Sequence, residues 1–269
     1  MLLGSHVPTA DPLDEAARRG AEVVQIFLSS PRQWAAPKLR ADAATLLGGG
    51  VPIYAHSPYL LNLASADPVV RQRSATLLQA TCEAAEAVGV RGVVVHGGQT
   101  GAGEDPTLGP TRWRATLERL ETTVPVLIED TAGGAHAVAS GIDRIARLWD
   151  ALDGLDTPVG FCLDTCHLHA AGEELVTGTT RLLDVIGRID LVHLNDAKDD
   201  RGSMRDRHEN LGAGRIDPEE LAAAVRLADA PTVVETPGGA ERQAADIAWM
   251  RARLSAARPL GSGRGSVSR

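Results

Sequence analysis

Eight short runs of apolar, mostly β-branched residues recur along the chain, and most of the stretches between them space their apolar residues as a helix does. The runs are Leu2-Leu3, Val23 to Leu28, Val51 to Ala55, Gly92 to Val95, Val124 to Ile128, Val159 to Leu163, the segment leading to His193, and Thr232 to Val234. Strand-then-helix repetition dictates parallel pairing, because parallel neighbours need a long crossover between them. Eight such units close a (β/α)8 TIM barrel, an α/β fold that 269 residues suit as a single unit. A doubly wound open sheet is the alternative, but no Gly-rich phosphate turn follows the first run. No interior linker is evident. One barrel domain is therefore expected over residues 1–258, with a Gly/Ser/Arg tail over 259–269 expected to be disordered.

The punctuation agrees. Asp11-Pro12, Asp67-Pro68 and Asp217-Pro218 each read as a helix N-cap followed by proline at the first helical position, and Gly20 and Gly89 read as helix ends. The spacing predicts helices after Asp11, from Val70 to Ala85, around Trp113 to Leu120, around Ile142 to Trp149, near Leu182-Leu183, and through Ile247 to Leu254.

Six of the runs end at a polar residue of metal-binding type: His56, His96, Glu129, Asp164, His193 and Glu235. His167, Asp206 and His208 follow in the next loops. In a parallel barrel all strand C-termini lie on one face, so these nine converge on one rim. A single strand histidine is more often a hydrogen-bonded core residue than a ligand, but nine on one rim do not share that explanation. Four carboxylates crowded together repel one another unless cations neutralise them. Imidazoles mixed with carboxylates suit zinc better than magnesium. Nine donors exceed one tetrahedral ion, whereas two or three ions sharing carboxylates would use them all. Asp206 and His208, at i and i+2 of an extended segment in LVHLNDAKDDRGSMRDRHENLGAG, point the same way and can grip one cation together. His6 could line the site; His136 and His169 read as surface or supporting residues.

Composition narrows the function classes. The net charge of −8 speaks against a nucleic-acid partner. Three divalent cations would bring it to about −2 and concentrate the positive charge at one site. Lys198, Arg201, Arg205 and Arg207 also make the seventh loop locally basic. Three cysteines, Cys82, Cys162 and Cys166, argue against a disulfide framework and for the reducing cytoplasm. No apolar run is long enough for a membrane span, and the segment MLLGSHVPTADP lacks the character of a signal peptide.

These residues sit in motifs that resemble the endonuclease IV (deoxyribonuclease IV) family of zinc-dependent apurinic/apyrimidinic endonucleases. The motifs are GSH at Gly4, RQW at Arg32, HSPYLLNLAS from His56, VVVHGG through His96, VLIEDTAGG through Glu129, FCLDTCHLHAAG through Asp164 and His167, HLNDAK from His193, DRHENLGAG from Asp206, and VVETP at Glu235. The resemblance implies a trinuclear zinc site at the C-terminal face of the barrel, with manganese an alternative at one position. It implies His56 and His96 on one ion, and Glu129 bridging to a second held also by Asp164, His193 and Glu235. His167, Asp206 and His208 would cage the third. Glu129 or Glu235 would orient the attacking water. The implied substrate is double-stranded DNA with abasic or 3′-blocked lesions, cut 5′ to the abasic site to leave a 3′-hydroxyl and a 5′-deoxyribose phosphate, with 3′-end trimming besides. Arg32, Tyr59 and Leu60 resemble the residues with which the family enters the base stack, and an open cleft favours a monomer. His169 and the Gly/Ser/Arg tail depart from the family pattern.

The rival reading is a sugar isomerase or epimerase on the same barrel, which would be expected to lack the group formed by His167, Asp206 and His208. A non-catalytic damage-binding protein is a second rival, and it would require a broken ligand set.

Overall fold

The computed structural model describes residues 1–256, so the expected tail and the boundary at 258 lie outside the described residues. The elements are β1 (Leu3–His6), α1 (Pro12–Arg19), β2 (Val24–Phe27), α2 (Ala43–Gly48), β3 (Ile53–His56), α3 (Pro68–Val88), β4 (Val93–His96), α4 (Leu108–Leu117), β5 (Val126–Glu129) and α5 (Ile142–Leu152). There follow β6 (Val159–Asp164), α6 (Thr165–Ala170), α7 (Leu175–Ile186), β7 (Leu191–His193), β8 (Asp196–Ala197), β9 (His208–Glu209), α8 (Pro218–Ala228), β10 (Thr232–Val234) and α9 (Gly239–Ala256). Strands β1 to β7 and β10 form a closed barrel, parallel throughout, with β10 joining β7 to β1. The expected (β/α)8 TIM barrel is the observed fold.

Why the chain closes this way is visible in its two apolar sets. Residues on one side of the strands, among them Ile26, Ala55, Val95, Ile128, Leu163, Val192 and Val234, belong to the large core shared with the helices. Val23, Tyr54, Val94, Leu127, Cys162, Leu191 and Val233 form a separate cluster that fills the barrel interior. Being buried on both faces, the strands read as continuous apolar runs rather than alternating ones.

Side chains alternate with period two along a strand. Each residue of the interior cluster therefore points the same way as the residue two places on: Gln25, His56, His96, Glu129, Asp164, His193 and Glu235. The polar set is the next layer of the barrel interior, at its C-terminal mouth.

Pro12, Pro68 and Pro218 open their helices as expected, and the carboxylates of Asp67 and Asp217 accept the amides of Val69 (2.8 Å) and Glu219 (2.7 Å). Such caps contribute about 1 kcal/mol each. Asp11 makes no side-chain cap bond. Gly20 and Gly89 end α1 and α3 with φ of 60° and 74°.

Three local features differ from the sequence expectation. Helix α2, six residues long with only Leu46 buried, carries too little periodicity to announce itself. His167 lies on the short helix α6, capped by Asp164, rather than in a loop. The long seventh connection contains the antiparallel β8–β9 ribbon, which pairs Ala197 with His208. The three cysteines are free and buried. Among the described residues no helix is long and apolar enough to cross a membrane.

Candidate metal centre

Glu129, at the end of β5, is the hub. It is buried, and its Oε2 lies 3.2 Å from Nε2 of His56 and 3.1 Å from Nε2 of His96. Its Oε1 lies 3.0 Å from Nδ1 of His193. That nitrogen is also 3.4 Å from Glu235 Oε2 and 4.0 Å from Asp164 Oδ2. On the far side, Asp206 Oδ1 stands 3.2 Å from His167 Nε2 and 3.1 Å from His208 Nε2, and Asp164 Oδ2 is 3.6 Å from the latter. All nine predicted ligand residues thus meet at one mouth. They fall into three donor groups: His56, His96 and Glu129; Glu129, Asp164, His193 and Glu235; and His167, Asp206 and His208, with each group's donor atoms within 4.8 Å of one another. A further grouping of Asp164, His208 and the buried Cys166 overlaps the last two. A cleft of about 320 Å³ opens over the centre, lined by Tyr59 and most of these side chains.

The geometry fits metal ions on two independent grounds. His56 Nδ1 lies 2.7 Å from the Ser57 carbonyl and His167 Nδ1 lies 2.9 Å from the Asp130 carbonyl. A carbonyl only accepts, so each Nδ1 carries a hydrogen, and Nε2 is the atom left facing the centre, the one that would bind an ion once free of its proton, as in metal-ligating imidazoles. In addition, the buried Nε2 of His208 makes no hydrogen bond of acceptable geometry.

The electrostatics point the same way. Burial pushes the imidazoles of His167 and His193 down, yet the surrounding anionic groups outweigh it and hold both well above the ordinary histidine value. His208 is likewise pushed up to about 9 against the burial that opposes it, chiefly by Asp164 and Asp206. Burial favours neutral Glu129, Asp206 and Glu235, but the histidines around them hold all three carboxylates well below their usual range. Protons on these imidazoles supply the positive charge that so many carboxylates require.

Among the candidate DNA contacts, Arg32 is exposed and Tyr59 is half-exposed. Tyr59 donates its backbone amide to the Pro31 carbonyl (3.0 Å), which joins the second loop to the third and brings Arg32 beside Tyr59 and Leu60. Its ring stacks on His96 with centroids 5.7 Å apart. The seventh loop is less basic than its sequence suggests, because Arg207 is paired with Asp199 and Arg205 lies 3.5 Å from the same carboxylate. His6 does line the site, with Nδ1 3.0 Å from Glu235 Oε1. His169 faces the Asp199 carbonyl instead, and His136 lines a separate cleft beside Arg144.

Sequence reasoning missed the residues that hold the ligands. Asn195 donates to Asp164 Oδ2 (2.8 Å) and accepts the Glu235 amide (3.0 Å). Gln25 bonds both Glu235 and His193. Asp246 accepts the Leu211 amide (3.0 Å) and the Asn210 side chain (2.8 Å), pinning the return of the seventh loop. Asn195 follows His193 within one motif, and Gln25 stands two places after Val23, so strand periodicity could have found it.

Comparison with known proteins bears on what such a centre serves. A family model described as a xylose isomerase-like TIM barrel matches residues 13–253. A protein of Mycobacterium marinum named probable endonuclease 4 is 56% identical over 255 residues, covering 95% of this chain and all of that one. The crystal structure of endonuclease IV from Thermus thermophilus superposes with a TM-score of 0.81 at 31% identity, covering 96% of this chain and all of that one. A D-tagatose 3-epimerase-like protein superposes at 0.75 over 95% of this chain and 96% of that one with only 16% identity, a likeness of fold alone. With a matching barrel model and full-length relatives above half identity, the chain belongs to the endonuclease IV family.

Proposed function

We propose that this protein is a DNA-repair phosphodiesterase that hydrolyses the backbone of double-stranded DNA 5′ to abasic sites, leaving a 3′-hydroxyl and a 5′-deoxyribose phosphate, and that also trims blocked 3′ ends. The observation that carries the reading is the third donor group, His167, Asp206 and His208, beside the two that share Glu129. A sugar isomerase or epimerase on the same barrel would be expected to lack that group.

Three zinc ions, with manganese an alternative at one position, would be held by the three groups in turn. Bound there, they would supply an activated water at neutral pH and neutralise the phosphate oxygens. The chain's own residues do the rest. Glu129 has an imidazole facing each of its oxygens, so its work is to tie two groups together. Glu235 is partly exposed in the cleft, with Oε1 held by Gln25 and His6, and we assign it the task of orienting the attacking water. Tyr59 and Leu60, with Arg32 alongside, form the edge that would enter the base stack, where an aromatic face and a guanidinium suit stacking and phosphate contact. A positive centre at the mouth and Arg32 at its rim would meet the phosphates despite the acidic total. One barrel domain working as a monomer with its cleft open to a duplex is sufficient, and its buried free thiols suit the cytoplasm.

The test is incision of a duplex carrying one abasic-site analogue, by protein purified without added metal and assayed without magnesium. The expected outcome is cleavage 5′ to the lesion, lost on prolonged chelation and restored by zinc. Zinc-loaded protein that leaves the duplex intact would mean that the substrate assignment is wrong.

A further inference from the structure

Gln25 is a polar residue on an otherwise apolar strand, flanked by Val23, Val24, Ile26 and Phe27, and it is fully buried. Burying a carboxamide there costs free energy unless both of its ends are bonded. Both are. Nε2 lies 2.7 Å from Glu235 Oε1 and 3.0 Å from His6 Nδ1, while Oε1 lies 2.9 Å from His193 Nε2.

We propose that Gln25 is a positioning residue that sets the His193 tautomer and thereby selects Nδ1 as the metal-ligating atom. The inference rests on the metal centre of the preceding section. A carboxylate only accepts, so the amide must turn its NH2 toward Glu235. The amide oxygen is then left facing His193 Nε2, and because it too only accepts, that nitrogen must carry the hydrogen. A neutral imidazole with hydrogen on Nε2 has its lone pair on Nδ1, which is the atom that faces Glu129, Asp164 and Glu235.

One amide therefore orders two members of the same donor group, Glu235 and His193. His56 and His167 have their outer nitrogens fixed by backbone carbonyls, which substitution does not remove. For His193 the partner is a side chain, so the effect can be isolated. Gln25 also lies in the ligand layer itself, two residues on from Val23 of the interior cluster.

The experiment uses full-length protein stripped of metal and retitrated with zinc against a competing chelator, in the absence of DNA. It is paired with ¹H–¹⁵N correlation spectra of the histidine rings in the zinc-loaded form. Wild type, Gln25→Met and Gln25→Glu are compared. Gln25→Met, of similar length, should weaken one bound ion by about 10–100-fold, leave the others in place, and lose the slowly exchanging Nε2–H of His193. Gln25→Glu keeps an acceptor for His193 and should retain that N–H signal, a rescue that a merely structural role would not produce. Unchanged zinc affinity and an unchanged Nε2–H signal in Gln25→Met would overturn the proposal while leaving the metal centre standing. Wild-type protein that takes up no zinc would overturn both.

Discussion

Gly214 donates its backbone amide to Oδ2 of Asp196 at 3.0 Å, and a Cβ built on Gly214 would run into that same carboxylate and the Ala197 carbonyl. Asp196 also accepts the amides of Gly212 and Ile216, each at 3.0 Å, so one buried carboxylate closes the loop that carries Asp206 and His208. Gly214→Ala should therefore destabilise the fold by about 1–3 kcal/mol through overpacking. Chemical denaturation measures this directly, and an unmoved midpoint would show that the loop yields without cost.

Glu104 and Arg112 provide a pH test away from the centre. The carboxylate takes a guanidinium nitrogen on each oxygen, at 2.6 and 2.8 Å, and the Gly101 amide at 2.7 Å. Arg112 first, and then the Gly101 amide, lower its pKa to about 2. A depressed carboxylate contributes stability that is present above its ordinary value of 4.5 and lost as pH falls through the folded value. The stability difference between wild type and Glu104→Gln, both metal-free, should shrink from pH 4.5 down to about 2. Parallel stability curves across that window would refute the coupling.

How much of this was legible in the sequence follows from which signals are local. Parallel strands buried on both faces leave apolar runs that end at His56, His96, Glu129, Asp164, His193 and Glu235, and those runs located the fold and six of the nine candidate ligands. The ends themselves shifted by up to three residues, because pairing rather than composition decides where a strand stops. Structure held by long-range hydrogen bonds left no such mark: β9 is two residues long and exists because His208 pairs with Ala197. Charge in the seventh loop misled for a related reason, since the pairing of Arg207 with Asp199 depends on how that loop folds back.

His208 is the donor that separates the proposed centre from a simpler one. Its Nε2 is buried, faces Asp164 and Asp206, and has no hydrogen bond to lose. His208→Ala should reduce bound zinc from three ions to two, with the groups around Glu129 still filled. Elemental analysis of the purified variant decides it, and full occupancy would remove His208 from the ligand set.

Arg32 should act on DNA and not on metal, because it stands exposed on the second loop, outside all the donor groups. Arg32→Ala is expected to weaken binding to an abasic duplex by about 1–3 kcal/mol, the scale of one stacking contact with a nucleotide. Zinc content should not change. Equal affinity for the abasic duplex in variant and wild type would exclude the assigned contact.

Glu235 carries the sharpest mechanistic expectation. It is the carboxylate of its group that remains partly exposed in the cleft, and its backbone amide is fixed by Asn195 while Oε1 is fixed by Gln25 and His6. Glu235→Gln keeps the size of the side chain and removes the charge that would orient water. Incision should fall by at least about 100-fold, the usual scale for a positioned acid–base group, while abasic-duplex affinity stays close to wild type. The substitution also removes a ligand charge, so zinc content must be measured on the same preparation. Loss of incision with three ions still bound would assign the role to Glu235. Full incision would return it to Glu129, the other carboxylate common to the chemistry.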